Sequence, residues 1–184
     1  MQSLPSLAKD LGKKTPDVKF IGEDILFSPS TASVLQNVFM HCFRNSIDHG
    51  IENAKEREQQ GKREKGKITV GLKRNEGKIE IHFQDDGKGL NLERIKDKGI
   101  ENGILPEETT PSDEEIAALI FNSGMSTAEK LTHVSGRGVG MDAVRGFLQE
   151  ASGKIQLHYT GERKDNGYRP FKFLITLPES VALP

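Results

Sequence analysis

The longest apolar periodicity in the chain covers residues 30–50, where Val34, Leu35, Val38, Phe39 and Cys42 fall on one broad arc of a helix. Pro29 and Ser30 suit its start and Gly50 its end. Strict alternation follows: Ile68, Val70 and Leu72 share one face of a strand over 67–74, and Ile79, Ile81 and Phe83 one face of a strand over 78–84. Asn75-Glu76-Gly77 between them signals a hairpin, and 154–160 with 171–177 forms a second, later one. Shorter strands are expected at 18–22 and 25–27, and helices at 4–14, 90–102, from Ser112 onward, and 140–151. Ser112-Asp113-Glu114-Glu115 has the spacing of a capping box. Residues 122–137, with few periodic apolar positions, predict a long mobile loop, and residues 51–66 a charged loop with a helical turn at 54–59. Strands come in pairs with helices between the pairs. That predicts an α+β fold: a two-layer sandwich of a mainly antiparallel mixed sheet with helices on one face.

Composition narrows the function classes. The 184 residues fit one domain with a short appendage. Charged residues make up 29% yet sum to a net charge of -1, which gives no electrostatic reason to expect nucleic acid or membrane as the main partner. The cations between Lys55 and Lys67 alternate with glutamates and read as a solvated helix end and loop. A lone cysteine, Cys42, excludes an internal disulfide and a paired-cysteine metal site; among apolar neighbours it reads as a small core hydrophobe. No apolar run approaches the ~20 residues of a spanning helix, and no signal peptide is visible, so a cytosolic location is expected.

Three constellations carry chemistry. On the 30–50 helix, His41, Asn45 and His49 follow at i, i+4 and i+8, along the edge of the arc that Val34 and Val38 occupy earlier. The inward side thus turns from apolar to polar. That suits a pocket wall holding a metal, a water or a phosphate oxygen; the plain alternative is a hydrogen-bonded or half-exposed polar edge. Asp85-Asp86-Gly87-Lys88-Gly89 follows a strand directly. Asp85 there can accept a hydrogen bond from an exocyclic amine such as adenine's, although Asp-Gly turns are often merely structural. Gly136-Arg137-Gly138-Val139-Gly140 opens a helix, where bare N–H groups make an anion site or allow tight packing. It is no P-loop, because no Gly-Lys-Ser/Thr follows. Ser126, Thr127 and Lys130 in the preceding loop fit a lid over a polyphosphate, or simply a solvated loop.

Taken in order, these motifs resemble the GHKL superfamily of ATPases, and within it the CheA-type chemotaxis histidine kinases. The N box is similar to His41-Cys42-Phe43-Arg44-Asn45-Ser46-Ile47-Asp48-His49-Gly50-Ile51-Glu52. The first glycine box is similar to Asp85 through Leu90, and the lid with the second glycine box to Gly124 through Asp142. The resemblance covers residues 4–178 and implies a Bergerat-type ATP-binding fold. It implies that residues 1–14 are the remnant of a linker helix from a preceding dimerisation domain and 15–184 the ATPase domain.

The same resemblance implies ATP and Mg²⁺ as ligands, with Asn45 and His41 at the metal and His41, Asn45 and His49 as catalytic. It implies that Asp85 reads adenine while Gly87 and Gly89 let the base approach. Arg44, Ser126, Thr127, Lys130, Gly136, Arg137, Gly138, Val139 and Gly140 are implied around the nucleotide. The implied reaction moves the γ-phosphoryl group of ATP to a histidine on a separate phosphotransfer domain. The other implied partners are dimerisation and coupling-protein-binding domains and, indirectly, a response regulator. Two departures stand out: Met125 replaces the usual lid Phe, and the last hairpin, 161–173, is long and charged where a short turn is usual. A catalytically degenerate nucleotide-binding module and a hydrolytic ATPase of the same superfamily are the rival readings.

Overall fold

The computed structural model describes residues 3–125 and 140–183. A short helix, α1 (Leu4–Asp10), leads to strand β1 (Asp17–Gly22) and the long helix α2 (Pro29–Asn45), which runs on into a π-helical turn, Ser46–Gly50. Then come α3 (Ala54–Gln59), the hairpin β2 (Lys67–Asn75) and β3 (Lys78–Asp85), the short β4 (Leu90–Asn91), α4 (Leu92–Glu101) and α5 (Asp113–Ala118). After α6 (Met141–Glu150) the chain ends in β5 (Lys154–Tyr159), β6 (Tyr168–Arg169) and β7 (Phe171–Pro178).

Five strands form one sheet in the order β1-β2-β3-β7-β5, with β1 parallel to β2 and every other pair antiparallel. The alternation read in the sequence sets the register. Val70 faces Phe83, Phe83 faces Phe173 and Ile81 faces Ile175, so the apolar rows line up across the sheet. Glu76 and Gly77 both take positive φ, 49° and 73°, which is the primed turn that matches strand twist. The apolar face meets Leu35, Val38 and Cys42 of α2 and Met141, Val144 and Leu148 of α6. Each large side chain buried this way contributes about 1.5–3 kcal/mol relative to exposure. A second cluster joins Leu92, Ile95, Ile116, Leu119 and Met125 around α4 and α5. This is the predicted two-layer α+β sandwich.

Two expectations are corrected. Residues 25–27 form no strand; Phe27 makes a single bridge to Ala182, and the segment hydrogen-bonds with residues 181–183, outside the sheet: Leu183 N–H donates to the Leu26 carbonyl at 2.7 Å and Ser28 N–H to the Val181 carbonyl at 3.1 Å. The 55–67 segment is not simply solvated: Arg57 is fully buried. The long 161–173 connection folds back as β6 against β4, and Arg169 lies over the Tyr159 ring at 3.9 Å with its Nη1 donating to Asp113 Oδ2 at 2.8 Å. No helix among the described residues is long and apolar enough to cross a membrane.

Candidate functional site

The wall of the site is the end of α2. The Ser28 side chain caps the helix start by accepting from Thr31 N–H, and Pro29 takes the first turn, where its missing N–H is no loss. At the other end Ile51 N–H donates to the Ser46 carbonyl at 2.7 Å, an i to i+5 bond that widens the last turn. That leaves carbonyls facing away from any helical donor. Lys13, just after α1, supplies the donors: its Nζ donates to the carbonyls of Ile47, Asp48 and Ile51 at 2.6, 2.8 and 2.7 Å. Ala8 of α1 is fully buried beside this contact.

The wide turn divides the predicted polar row. His41 and Asn45 keep α-helical spacing and both reach α6: His41 stacks on Phe147, 5.9 Å between centroids, and Asn45 Nδ2 donates to Met141 Sδ at 2.9 Å. His49 lies on the π turn, more exposed, with Nε2 3.6 Å from Asp48 Oδ2. Burial lowers the pKa of His41 below its ordinary value, Arg44 lowers it further, and Asp142 opposes both. Burial also lowers that of His49; Asp48 opposes it, while Lys13, Lys88 and Arg94 lower it further. Both shifts favour the neutral imidazole, and His49 has Asp48 on one hand and the cations Lys13, Lys88 and Arg94 on the other. Sequence reasoning did not single out Lys88 and Arg94. Their signal was a cation inside the glycine box and another one turn into the helix that follows it.

Asp85 ends β3 directly against this wall. Its Oδ2 accepts from Ser46 Oγ at 2.7 Å and its Oδ1 from Gly87 N–H at 2.9 Å. Burial nevertheless raises its pKa above the ordinary carboxylate value, outweighing those two hydrogen bonds. The glycine box and the N box abut. Lys88 N–H donates to the Gly50 carbonyl at 3.0 Å, and a Cβ on Gly87 would lie 2.2 Å from that same oxygen. Gly89 has φ 92°, and a Cβ there would lie 2.5 Å from the Arg169 carbonyl oxygen. Both glycines are thus required by neighbouring backbone as well as by any base.

Gly140 caps α6 without a side-chain hydrogen bond, so the first N–H groups of that helix have no side-chain acceptor at the cap, and Asn45 meets the first residue of that helix, Met141. Ser126, Thr127, Lys130, Gly136, Arg137, Gly138 and Val139 lie outside the described residues. Cys42 is buried in the core and its thiol is pushed up to about 12, which makes it inert, as a core hydrophobe should be. Among the described residues no cluster of three or more His, Cys, Asp or Glu is built to hold a metal. An amide oxygen such as that of Asn45 suits a hard cation such as magnesium, which prefers oxygen donors; the imidazole of His41 suits it less.

Adjacent residues at the end of α2 thus bridge two elements: Asn45 touches the entry of α6, and Ser46 holds the carboxylate that closes β3. Comparison with known proteins places the chain among ATPases. The chain is 34% identical to the chemotaxis protein CheA of Halobacterium salinarum over 185 residues, covering 97% of this chain and 27% of that protein. It is 40% identical to CheA of Klebsiella aerogenes over 157 residues, covering 84% of this chain and 24% of that protein. The chain therefore spans well under half the length of these relatives. Among solved structures, the histidine kinase domain of the Erythrobacter litoralis EL346 blue-light activated histidine kinase superposes with a TM-score of 0.50 over 96% of this chain and 58% of that one. At 13% identity, that likeness speaks for the fold alone. The pattern of the family described as "Histidine kinase-, DNA gyrase B-, and HSP90-like ATPase" matches residues 31–181. A match running from the first turn of α2 to the turn beyond β7 takes in every element of the site, and the chain belongs to that ATPase family.

Proposed function

We propose that this chain is the ATP-binding catalytic domain of a CheA-like histidine kinase in two-component, chemotaxis-type signalling. It would work in the cytoplasm, beside the dimerisation and coupling-protein-binding domains of a longer protein. The observation that carries the reading is the pair at the end of α2: Ser46 bonded to Asp85 and Asn45 bonded to Met141. One wall thereby offers an amine reader and, next to a helix entry, an amide oxygen.

In this reading Asp85 accepts the exocyclic amine of adenine. The helix entry at Gly140 and the preceding Gly136, Arg137, Gly138 and Val139 receive the phosphates, as an uncapped helix start favours anions. Arg44, Ser126, Thr127 and Lys130 add cationic and hydroxyl contacts. Asn45 is the residue fitted to hold Mg²⁺, which when bound neutralises charge on the phosphates. Neutral His41 orients groups beside it by hydrogen bonding, and His49 sits where cations already gather. A nitrogen lone pair of the acceptor histidine attacks the γ-phosphorus, a P–N bond forms, and the bond to the bridging oxygen breaks with its electrons leaving on ADP. Positioning and charge stabilisation do most of the work in such a transfer. The acceptor is a histidine of a separate phosphotransfer domain, and a response regulator receives the group from there. Incubation with that domain and γ-labelled ATP is expected to label the acceptor. Good ATP binding with an unlabelled acceptor would refute the kinase reading.

A further inference from the structure

Arg57 and Lys62 meet the glycine box at Asp86 and Gly87. The fully buried Arg57 guanidinium donates Nη1 to Glu52 Oε2 at 3.1 Å, Nη2 to Asp86 Oδ2 at 2.8 Å and Nε to the Arg63 carbonyl at 2.6 Å. Lys62 Nζ donates to Glu52 Oε1 at 2.7 Å and to the carbonyls of Asp86 and Gly87, each at 3.0 Å. Asp86 Oδ1 accepts from Lys67 N–H at 2.9 Å. Burying a charged pair such as Arg57–Glu52 carries a desolvation penalty that apolar packing avoids, so stability alone is a poor account of the arrangement. Geometry is a better one. The Asp86 carbonyl and the Gly87 N–H belong to one peptide unit, which is planar and trans, so fixing one end fixes the other. Lys62 grips the carbonyl end at 3.0 Å, with Arg57 Nη1 a longer donor at 3.5 Å; the N–H end donates to Asp85 Oδ1 at 2.9 Å.

We infer that Lys62, braced by Glu52 and Arg57, is a positioning residue for base selection: through the Asp86–Gly87 peptide it sets the orientation of the Asp85 carboxylate toward the purine. This rests on the proposed role of Asp85 as amine reader. A carboxylate accepts from the 6-amino group of adenine and repels the 6-oxo group of guanine, so the sharpness of its aim decides how far the two are separated. Lys62 touches no nucleotide in this scheme and acts only through backbone.

The test uses this chain, with MgATP and MgGTP titrated by calorimetry and melting followed in parallel. Lys62 is partly exposed and Arg57 still pairs Glu52 without it, so Lys62→Met is expected to melt within a few degrees of wild type. Its adenine-over-guanine preference should fall roughly tenfold, a shift of about 1.4 kcal/mol, and Lys62→Arg should restore most of it. Lys62→Gln carries the same expectation and replaces the Met variant should that fail to fold. An unchanged preference in Lys62→Met, or an equal loss of affinity for both nucleotides, overturns the inference. A wild type that prefers neither nucleotide defeats the reading of Asp85 itself, and that result is visible before any variant is made.

Discussion

At Asp85, stability and chemistry pull in opposite directions. Burial raises its pKa although Ser46 Oγ and Gly87 N–H both donate to it, so the ionised form is disfavoured in the folded chain. A carboxyl whose folded pKa lies above its unfolded value contributes its full stability below about pH 3.9 and loses it as pH climbs through the raised value. Asn at this position does not titrate, and the Ser46 hydroxyl can turn to accept from its amide. Asp85→Asn is expected to melt higher than wild type at pH 7. That advantage should fade toward pH 4, while affinity for adenine nucleotides drops by roughly 10- to 100-fold. Thermal scans across pH with parallel nucleotide titrations check both halves. Asp85, His41 and Asn45 were legible in the sequence because each stands within a motif of fixed spacing. Lys88, Arg94 and Lys62 were not, because their partners lie on other elements: Tyr168 beneath Lys88, the Asp86 and Gly87 carbonyls beneath Lys62.

Elements governed by local rules were read correctly, and those governed by distant partners were not. The hairpin turn at Glu76-Gly77 and the capping box of Ser112 with Glu115 follow from neighbouring residues alone. The π turn at Ser46–Gly50 does not, since the carbonyls of Ile47, Asp48 and Ile51 are satisfied by Lys13, more than 30 residues earlier in the chain. Helical spacing therefore carried the row of His41 and Asn45 correctly but did not extend to His49. The charged α3–β2 segment looked solvated because charge alternation is what a solvated loop shows, whereas the buried Arg57 pairs with the buried Glu52 and reaches out to the exposed Asp86. Removing Arg57 leaves Glu52 paired by Lys62 alone and takes the side-chain donor from the Arg63 carbonyl. Arg57→Ala is accordingly expected to destabilise the chain by about 1–3 kcal/mol, and denaturant unfolding should show this as a lower midpoint.

Over the whole molecule, the apolar alternation foretold a two-layer sandwich, but strand order β1-β2-β3-β7-β5 rests on pairings between distant segments, which no local pattern encodes. The long charged connection after β5 was visible as a departure, and its purpose emerged only from contacts. Arg169 and Arg163 tie it to Asp113, Arg163 also to Glu93, and β6 pairs with β4 beside Gly89. It thereby packs against the glycine box at Gly89, whereas Lys62 holds it at Asp86 and Gly87. The site is thus held by α1, α3 and this connection, all outside the motifs that announce it.

The most direct measurement is calorimetric titration of the folded chain with ATP, with and without Mg²⁺. A saturable heat at one nucleotide per chain is expected, stronger with Mg²⁺ and weakened in its metal-dependent part by Asn45→Ala. A well-folded chain that gives no heat with any adenine nucleotide would contradict a nucleotide site on the α2 wall.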